Sequence, residues 1–182
     1  MVTPDDGFRF DALREADLPR LHEWLSRPHV AEWWQPTPSL SELREDYLSS
    51  TSTRAYIAFH GEEPIGFIQC YVVMGSGDGW WEEETDPGAR GIDQFLAEPG
   101  HLGKGMGSAM VRAFVERLFA DPAVSAVQVD PDPENERAIR CYLRAGFQAV
   151  GPVDTPDGPA LLMRRARPID HDSPPDVSTP YP

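Results

Sequence analysis

The chain is short of cysteine, of positive charge and of long apolar runs, and each shortage narrows what it can be. Two cysteines, Cys70 and Cys141, occur in 182 residues. That is too few for a disulfide framework and suits two free thiols in a reducing compartment. The first thirty residues hold no continuous apolar stretch, so no secretory signal is expected. No run reaches the roughly 18 apolar residues of a membrane span. The expected location is therefore the cytoplasm, with no membrane partner. Positive charge is outnumbered: 16 Lys and Arg stand against 30 Asp and Glu, a net charge of -14. A surface of that sign repels nucleic acid and attracts a polycationic small molecule. No Cys and His spacing fits zinc. Asp130-Pro131-Asp132-Pro133-Glu134 begins like a calcium loop, but Asn135 replaces the required glycine and Cys141 the closing glutamate. No metal is expected. The five histidines are scattered, and none stands out as a base.

What is present reads as one globular domain, with enough apolar residues (40%) for a sizeable core. Residues 8–13 alternate as a half-buried strand does. Asp17 is placed to cap a helix carrying Leu18, Leu21, Trp24 and Leu25, which Pro28 should end. The pair Trp33-Trp34 follows, then a loop at Pro36 and Pro38. Ser39 is placed to cap a second helix reaching Tyr47 and Leu48. Residues 54–60 and 64–74 read as strands joined by a hairpin turn at His60-Gly61-Glu62-Glu63. Gly75-Ser76-Gly77-Asp78-Gly79 is too glycine-rich for regular structure, and residues 80–88 form an acidic loop. A short strand at 91–96 leads into a second glycine-rich loop at 99–107. A helix follows, with Met106, Met110, Ala113, Phe114 and Leu118 on one face. Residues 124–129 are a β-branched, buried strand. Residues 134–145 are helical, with Gly146 at the C-terminal glycine position. Strands at 147–150 and 160–164, joined by a turn at 155–159, complete the order. Such an order implies an α/β mixed sheet with helices on both faces. Domain 1–167 is followed by residues 168–182, Pro-rich and expected to be disordered.

The segment Leu102-Gly103-Lys104-Gly105-Met106-Gly107-Ser108 leaves a strand and opens a helix. Free N–H groups and the positive dipole end of a helix start bind phosphate, and glycines let the backbone approach closely. It is not a Walker A loop, because Gly105 follows Lys104, nor a Rossmann fingerprint, because Ser108 replaces the last glycine. A plain glycine turn is the alternative. The segment resembles the diphosphate loop of the GNAT acetyltransferases, with Gly105 and Gly107 in its small-residue places and Leu102 where Gln or Arg is usual. Asn135 and the run Arg140-Cys141-Tyr142-Leu143-Arg144-Ala145-Gly146-Phe147 resemble that family's motif beside the cofactor thioester. The resemblance implies the GNAT fold, a mixed sheet whose splayed parallel pair admits acetyl-CoA. It implies that Phe95, Leu96, Leu102, Gly103, Lys104, Gly105, Met106, Gly107, Ser108, Asn135 and Tyr142 bind this cosubstrate. Amides near Phe95 or Leu96 would polarise the thioester carbonyl. Tyr142 is then the acid that meets the departing thiolate, since a phenol of reference pKa about 10 carries its proton at neutral pH.

The run from Gly75 to Gly88, Arg90-Gly91-Ile92-Asp93-Gln94, Glu32-Trp33-Trp34, Gln128 to Pro131, and Thr155 to Pro159 closely resemble the aminoglycoside 6′-N-acetyltransferases of antibiotic resistance. That likeness covers residues 8–165, although the stretch between Trp34 and Tyr47 is shorter than in those enzymes. It implies a cationic aminoglycoside as substrate. Asp78, Asp93, Asp130 and Asp157 are the carboxylates expected to pair its ammoniums, with Trp34 and Trp80 as aromatic walls. Asp130 and Asp157 also read as ordinary turn residues. Asp93 is the expected catalytic base, assisting direct attack by the 6′-amine in a ternary complex. Cys141 is not expected to carry the acyl group. The competing function is acetylation of another amine by the same fold: a polyamine, a siderophore precursor or a peptide. The oligomeric state expected is monomer or homodimer.

Overall fold

A computed structural model describes residues 7–168, so the expected tail, apart from Pro168, lies outside the described residues. Seven strands form one sheet: β1 (Phe8–Ala12), β2 (Thr53–His60), β3 (Glu63–Val72), β4 (Ala89–Leu96), β5 (Ala126–Val129), β6 (Gln148–Thr155) and β7 (Gly158–Ala166). Their spatial order is β1-β2-β3-β4-β5-β7-β6. Every neighbouring pair is antiparallel except β4 and β5. The helices are α1 (Leu18–Leu25), α2 (Pro28–Ala31), α3 (Leu40–Leu43), α4 (Met106–Phe119) and α5 (Glu136–Arg144). Among the described residues no helix is long and apolar enough to cross a membrane.

Apolar side chains from the two faces of the sheet build two cores. One joins Ile92, Val127 and Met163 to Met110, Val111 and Phe114 of α4. The other joins Ile57, Phe67 and Phe95 to Leu21, Leu25 and Leu43 of the first three helices. Strand alternation explains the division: Ile92 and Leu96 face α4, and Phe95 faces α1. All four residues of β5 are buried, as a central strand covered on both faces requires.

Several local expectations change. Asp17 stands at the start of α1, but its carboxylate accepts the Arg14 N–H at 3.0 Å instead of capping that helix. α1 already stops at Leu25. Pro28, whose missing N–H costs nothing in a first turn, opens α2. Ser39 does cap α3, in a reciprocal pair with Glu42, and a wider turn then runs from Arg44 to Leu48. The buried stripe of α4 is Met110, Val111, Phe114, Val115 and Phe119, leaving Ala113 and Leu118 half-buried. β6 and β7 run longer than their apolar residues indicate, because they pair with each other from Thr155 and Gly158 down to Gln148 and Arg164.

Candidate active site

The site is built where the sheet fails to close. β4 has eight residues, yet only Ala89, Arg90 and Gly91 pair with β5. β5 ends at Val129, and Pro131, two residues on, has no N–H to continue a ladder. Residues 92–96 are therefore paired on the β3 side alone. Bonds from Ala97 N–H to the Ile65 carbonyl (2.8 Å) and from Val73 N–H to the Ala89 carbonyl (3.3 Å) set the phase of β4. Odd-numbered residues turn their main chain to β3, and even-numbered ones turn it to the gap. The Leu96 amide thus faces the gap. The Phe95 amide, expected to polarise the ligand, belongs instead to the β3 ladder. The Leu96 carbonyl is taken by His29 Nε2 at 3.0 Å.

One cavity, of about 320 Å³, opens at this gap. Of the residues expected to bind the cosubstrate, Phe95, Leu96, Leu102, Gly103, Gly105, Gly107, Ser108 and Asn135 line it; Lys104 and Met106 of the same loop do not. Gly103 (φ +72°) and Gly105 (φ +83°) hold left-handed conformations that other residues rarely adopt. The first donor inside α4 is Ala109, to the Gly105 carbonyl at 3.0 Å. The N–H groups of Met106, Gly107 and Ser108 are thus unused by the helix and available to an anion. A Cβ on Gly107 would stand 3.3 Å from Cys141 Sγ, so a larger residue there would have to displace that thiol slightly. The residues fit a diphosphate. His29, Arg137, Arg140 and Arg144 add basic side chains to the lining, which contains no carboxylate among the described residues.

A larger cleft, about 1290 Å³, adjoins the first. Trp33, Trp34, Gln94, Asn135 and Ala138 line both spaces. Of the residues expected here, Trp34, Trp80, Asp93, Asp130, Asp157 and Tyr142 line the cleft. Tyr142 lies on this side and not in the smaller cavity. Asp78 does not line it: the residue is exposed at the tip of its turn, with φ +53°. Glu32, Glu42, Asp46 and Asp132 add carboxylates that sequence reasoning missed, bringing the lining to seven acids with no Lys, Arg or His among the described residues. Glu84 has a structural task instead. It pairs with Arg164 at 3.0 Å, while Asp86 accepts from Arg164 at 3.2 Å and from Ser125 at 2.6 Å, clamping the acidic loop to the sheet.

Asp93 sits on β4 opposite Gln69 of β3, whose Nε2 donates to Asp93 Oδ2 at 2.7 Å. Enclosure by protein pushes the Asp93 carboxyl above the usual carboxylate range, the Gln69 bond opposes this, and nearby Asp157 adds to it. Asp130 is pushed up to about 7, first by loss of hydration and then by Asp93 and Asp157. Burial holds the Tyr142 phenol above its ordinary value, so it keeps its proton at neutral pH. Trp34 is fixed by edge contacts to Phe67 (6.0 Å) and Phe95 (5.2 Å). Tyr71 lies across Gly91, where a Cβ would stand 2.1 Å from its ring. Trp33 and Trp81 each present a buried indole N–H without a partner among the described residues. Gln94 presents such an oxygen where the two spaces meet.

An acetyltransferase (GNAT) domain matches residues 14–155. The chain belongs to the GNAT acetyltransferase family. Within that family it is 53% identical over 174 residues to aminoglycoside N(6′)-acetyltransferase type 1 of Klebsiella pneumoniae, covering 92% of this chain and 87% of that protein. The crystal structure of aminoglycoside acetyltransferase AAC(6′)-Ib with coenzyme A and kanamycin superposes with a TM-score of 0.83 at 53% identity, over 88% of this chain and 95% of that one. The lysine N-acyltransferase MbtK of Mycobacterium tuberculosis is more distant, 27% identical over 85% of this chain and 74% of its own length. The mixed sheet with its open β4–β5 pair is the GNAT fold, as expected.

Proposed function

We propose that this chain transfers the acetyl group of acetyl-CoA to the 6′-amine of aminoglycosides. One observation carries the reading: among the described residues, a cleft lined by seven carboxylates and no cation adjoins a cavity lined by arginines and no carboxylate. A polyanionic coenzyme suits the second space and a polycationic amino sugar the first. The 53% identity to an aminoglycoside N(6′)-acetyltransferase supports the same substrate. The activity belongs in the cytoplasm, where acetyl-CoA is available.

Acetyl-CoA supplies the acetyl group as a thioester and leaves as a thiol. The loop amides from Gly103 to Ser108 grip its diphosphate, and the Leu96 N–H points where the thioester carbonyl would lie. Asp93, Asp130 and Asp157 pair the ammoniums, while Trp34 and Trp80 offer faces worth roughly 0.5–2 kcal/mol per cation–π contact. The attacking amine must lose a proton. Asp93 receives it on the oxygen that Gln69 leaves free, in a setting that already favours the protonated acid. Tyr142 keeps its proton until a thiolate develops and then donates it. Because the two spaces share a wall, both substrates fit at once and the amine attacks directly. Cys141 lines the coenzyme cavity but not the acidic cleft, and burial raises its thiol pKa, which disfavours an acyl-enzyme.

Thiol-release kinetics with 6′-amino and 6′-hydroxy aminoglycosides test this. Release is expected with the amino compounds alone, with intersecting double-reciprocal lines. Equal rates with the hydroxy compounds, or parallel lines, would overturn the assignment.

A further inference from the structure

Lys and Arg are outnumbered in this chain, and most of them are occupied. Eight arginines pair with carboxylates: Arg9, Arg14, Arg20, Arg27, Arg44, Arg140, Arg164 and Arg165. Arg90, Arg112, Arg117 and Arg167 donate to main-chain carbonyls. Among the described residues, that leaves only Arg54, Lys104, Arg137 and Arg144 with neither partner. Arg137 and Arg144 line the smaller cavity, and Lys104 belongs to its glycine loop. Arg140, also in the lining, is held only by the exposed Glu136 one turn back, at 2.9 Å. In a protein of net charge -14, this gathering of free cations marks where a polyanion docks.

The loop amides and the start of α4 already satisfy a diphosphate without side-chain charge. The arginines extend further. Residues 137, 140 and 144 follow one another at i, i+3 and i+7, so they share a face of α5 and span about 10 Å along its axis. A stripe of that length exceeds a diphosphate. The fork of an arginine also suits a dianionic phosphate monoester, which it grips through two parallel N–H groups. Coenzyme A carries one such group, at the ribose 3′ position.

We infer that Arg137, Arg140 and Arg144 form a subsite for the ribose 3′-phosphate of the coenzyme, separate from the glycine loop that takes the diphosphate. It makes the enzyme select acetyl-CoA over its 3′-hydroxy form. The inference rests on the reading of the smaller cavity as the coenzyme site. The side chains are exposed, so salt weakens the selection.

Calorimetric titration of the full chain with coenzyme A and with dephospho-coenzyme A tests it without any acceptor substrate. The wild type is expected to bind coenzyme A about tenfold more tightly at low salt. In the double variant Arg137→Gln/Arg144→Gln that preference should fall to about twofold or less, through weaker binding of coenzyme A alone. Arg54→Gln, which removes the free cation outside the cavity, should keep the wild-type preference. Equal affinity of the wild type for both ligands would overturn the subsite. So would equal weakening of both ligands in the double variant, which would assign the arginines to the diphosphate. If the wild type bound neither ligand, the coenzyme reading itself would fall and the subsite with it.

Discussion

Asp93 shows how one residue is made ready by its neighbours. Its strand position puts it at the open end of β4, and Gln69 of the adjoining strand holds one carboxylate oxygen at 2.7 Å. The side chain is thereby oriented, and the proposed mechanism uses its other oxygen for the amine. Asp93→Asn keeps the shape and removes the proton acceptor. Turnover is expected to fall by about 10²–10⁴, with the KM for acetyl-CoA changed by less than about threefold. Steady-state thiol release measures both, and small, equal losses would remove Asp93 from the chemistry. Its candidacy was legible because a family resemblance pointed at the position. Gln69 was not legible, since its partner stands 24 positions along the chain and only strand register unites them. Asp78, expected among the pocket carboxylates, is exposed and does not line the cleft. Its neighbours resemble a substrate loop, but the residue stands at the tip of a turn in the left-handed conformation.

At the scale of elements, the site depends on where pairing stops. β4 and β5 separate after Gly91, and this glycine also admits the Tyr71 ring against the strand. Gly91→Ala puts a methyl group into that ring. We expect a loss of about 1–3 kcal/mol in folding stability by urea unfolding, together with a raised KM for the aminoglycoside because Tyr71 lines the cleft. An unchanged midpoint and KM would show that Tyr71 is free to move. The glycine loop and α4 were readable from sequence, since positive φ and a free helix start are local properties. The lengths of β6 and β7 were not, because polar residues such as Asp154 and Arg164 join these strands through partners, not through hydrophobic alternation.

For the whole molecule, the separation of charge is the organising feature. A cleft crowded with acids destabilises the empty protein at neutral pH and stabilises it once a cation enters. The sign follows from Asp130, pushed up to about 7 from an ordinary 3.8. A group raised on folding gives its full contribution below about 3.8, and the contribution is lost as pH rises through 7. The ligand-free protein should therefore weaken over that window. Asp130→Asn should raise stability by about 1–2 kcal/mol at pH 8 and by almost nothing near pH 4. Thermal unfolding at both values checks this, and a gain equal at the two would assign the effect to packing. Saturating aminoglycoside should shrink the gain by removing the repulsion.

Local features are legible in the residues themselves: the glycine loop that opens α4, the amphipathic helices, the succession of strands along the chain and the surplus of acid. These depend on dihedral preference, periodicity and composition, which act over a few residues or over the chain as a sum. Tertiary structure alone decided which carboxylates share a cleft, that arginines of α5 face the glycine loop, and that Gln69 holds Asp93. Those relations arise when distant segments pack, and the low-dielectric enclosure that shifts Asp93 and Asp130 exists only after they have packed.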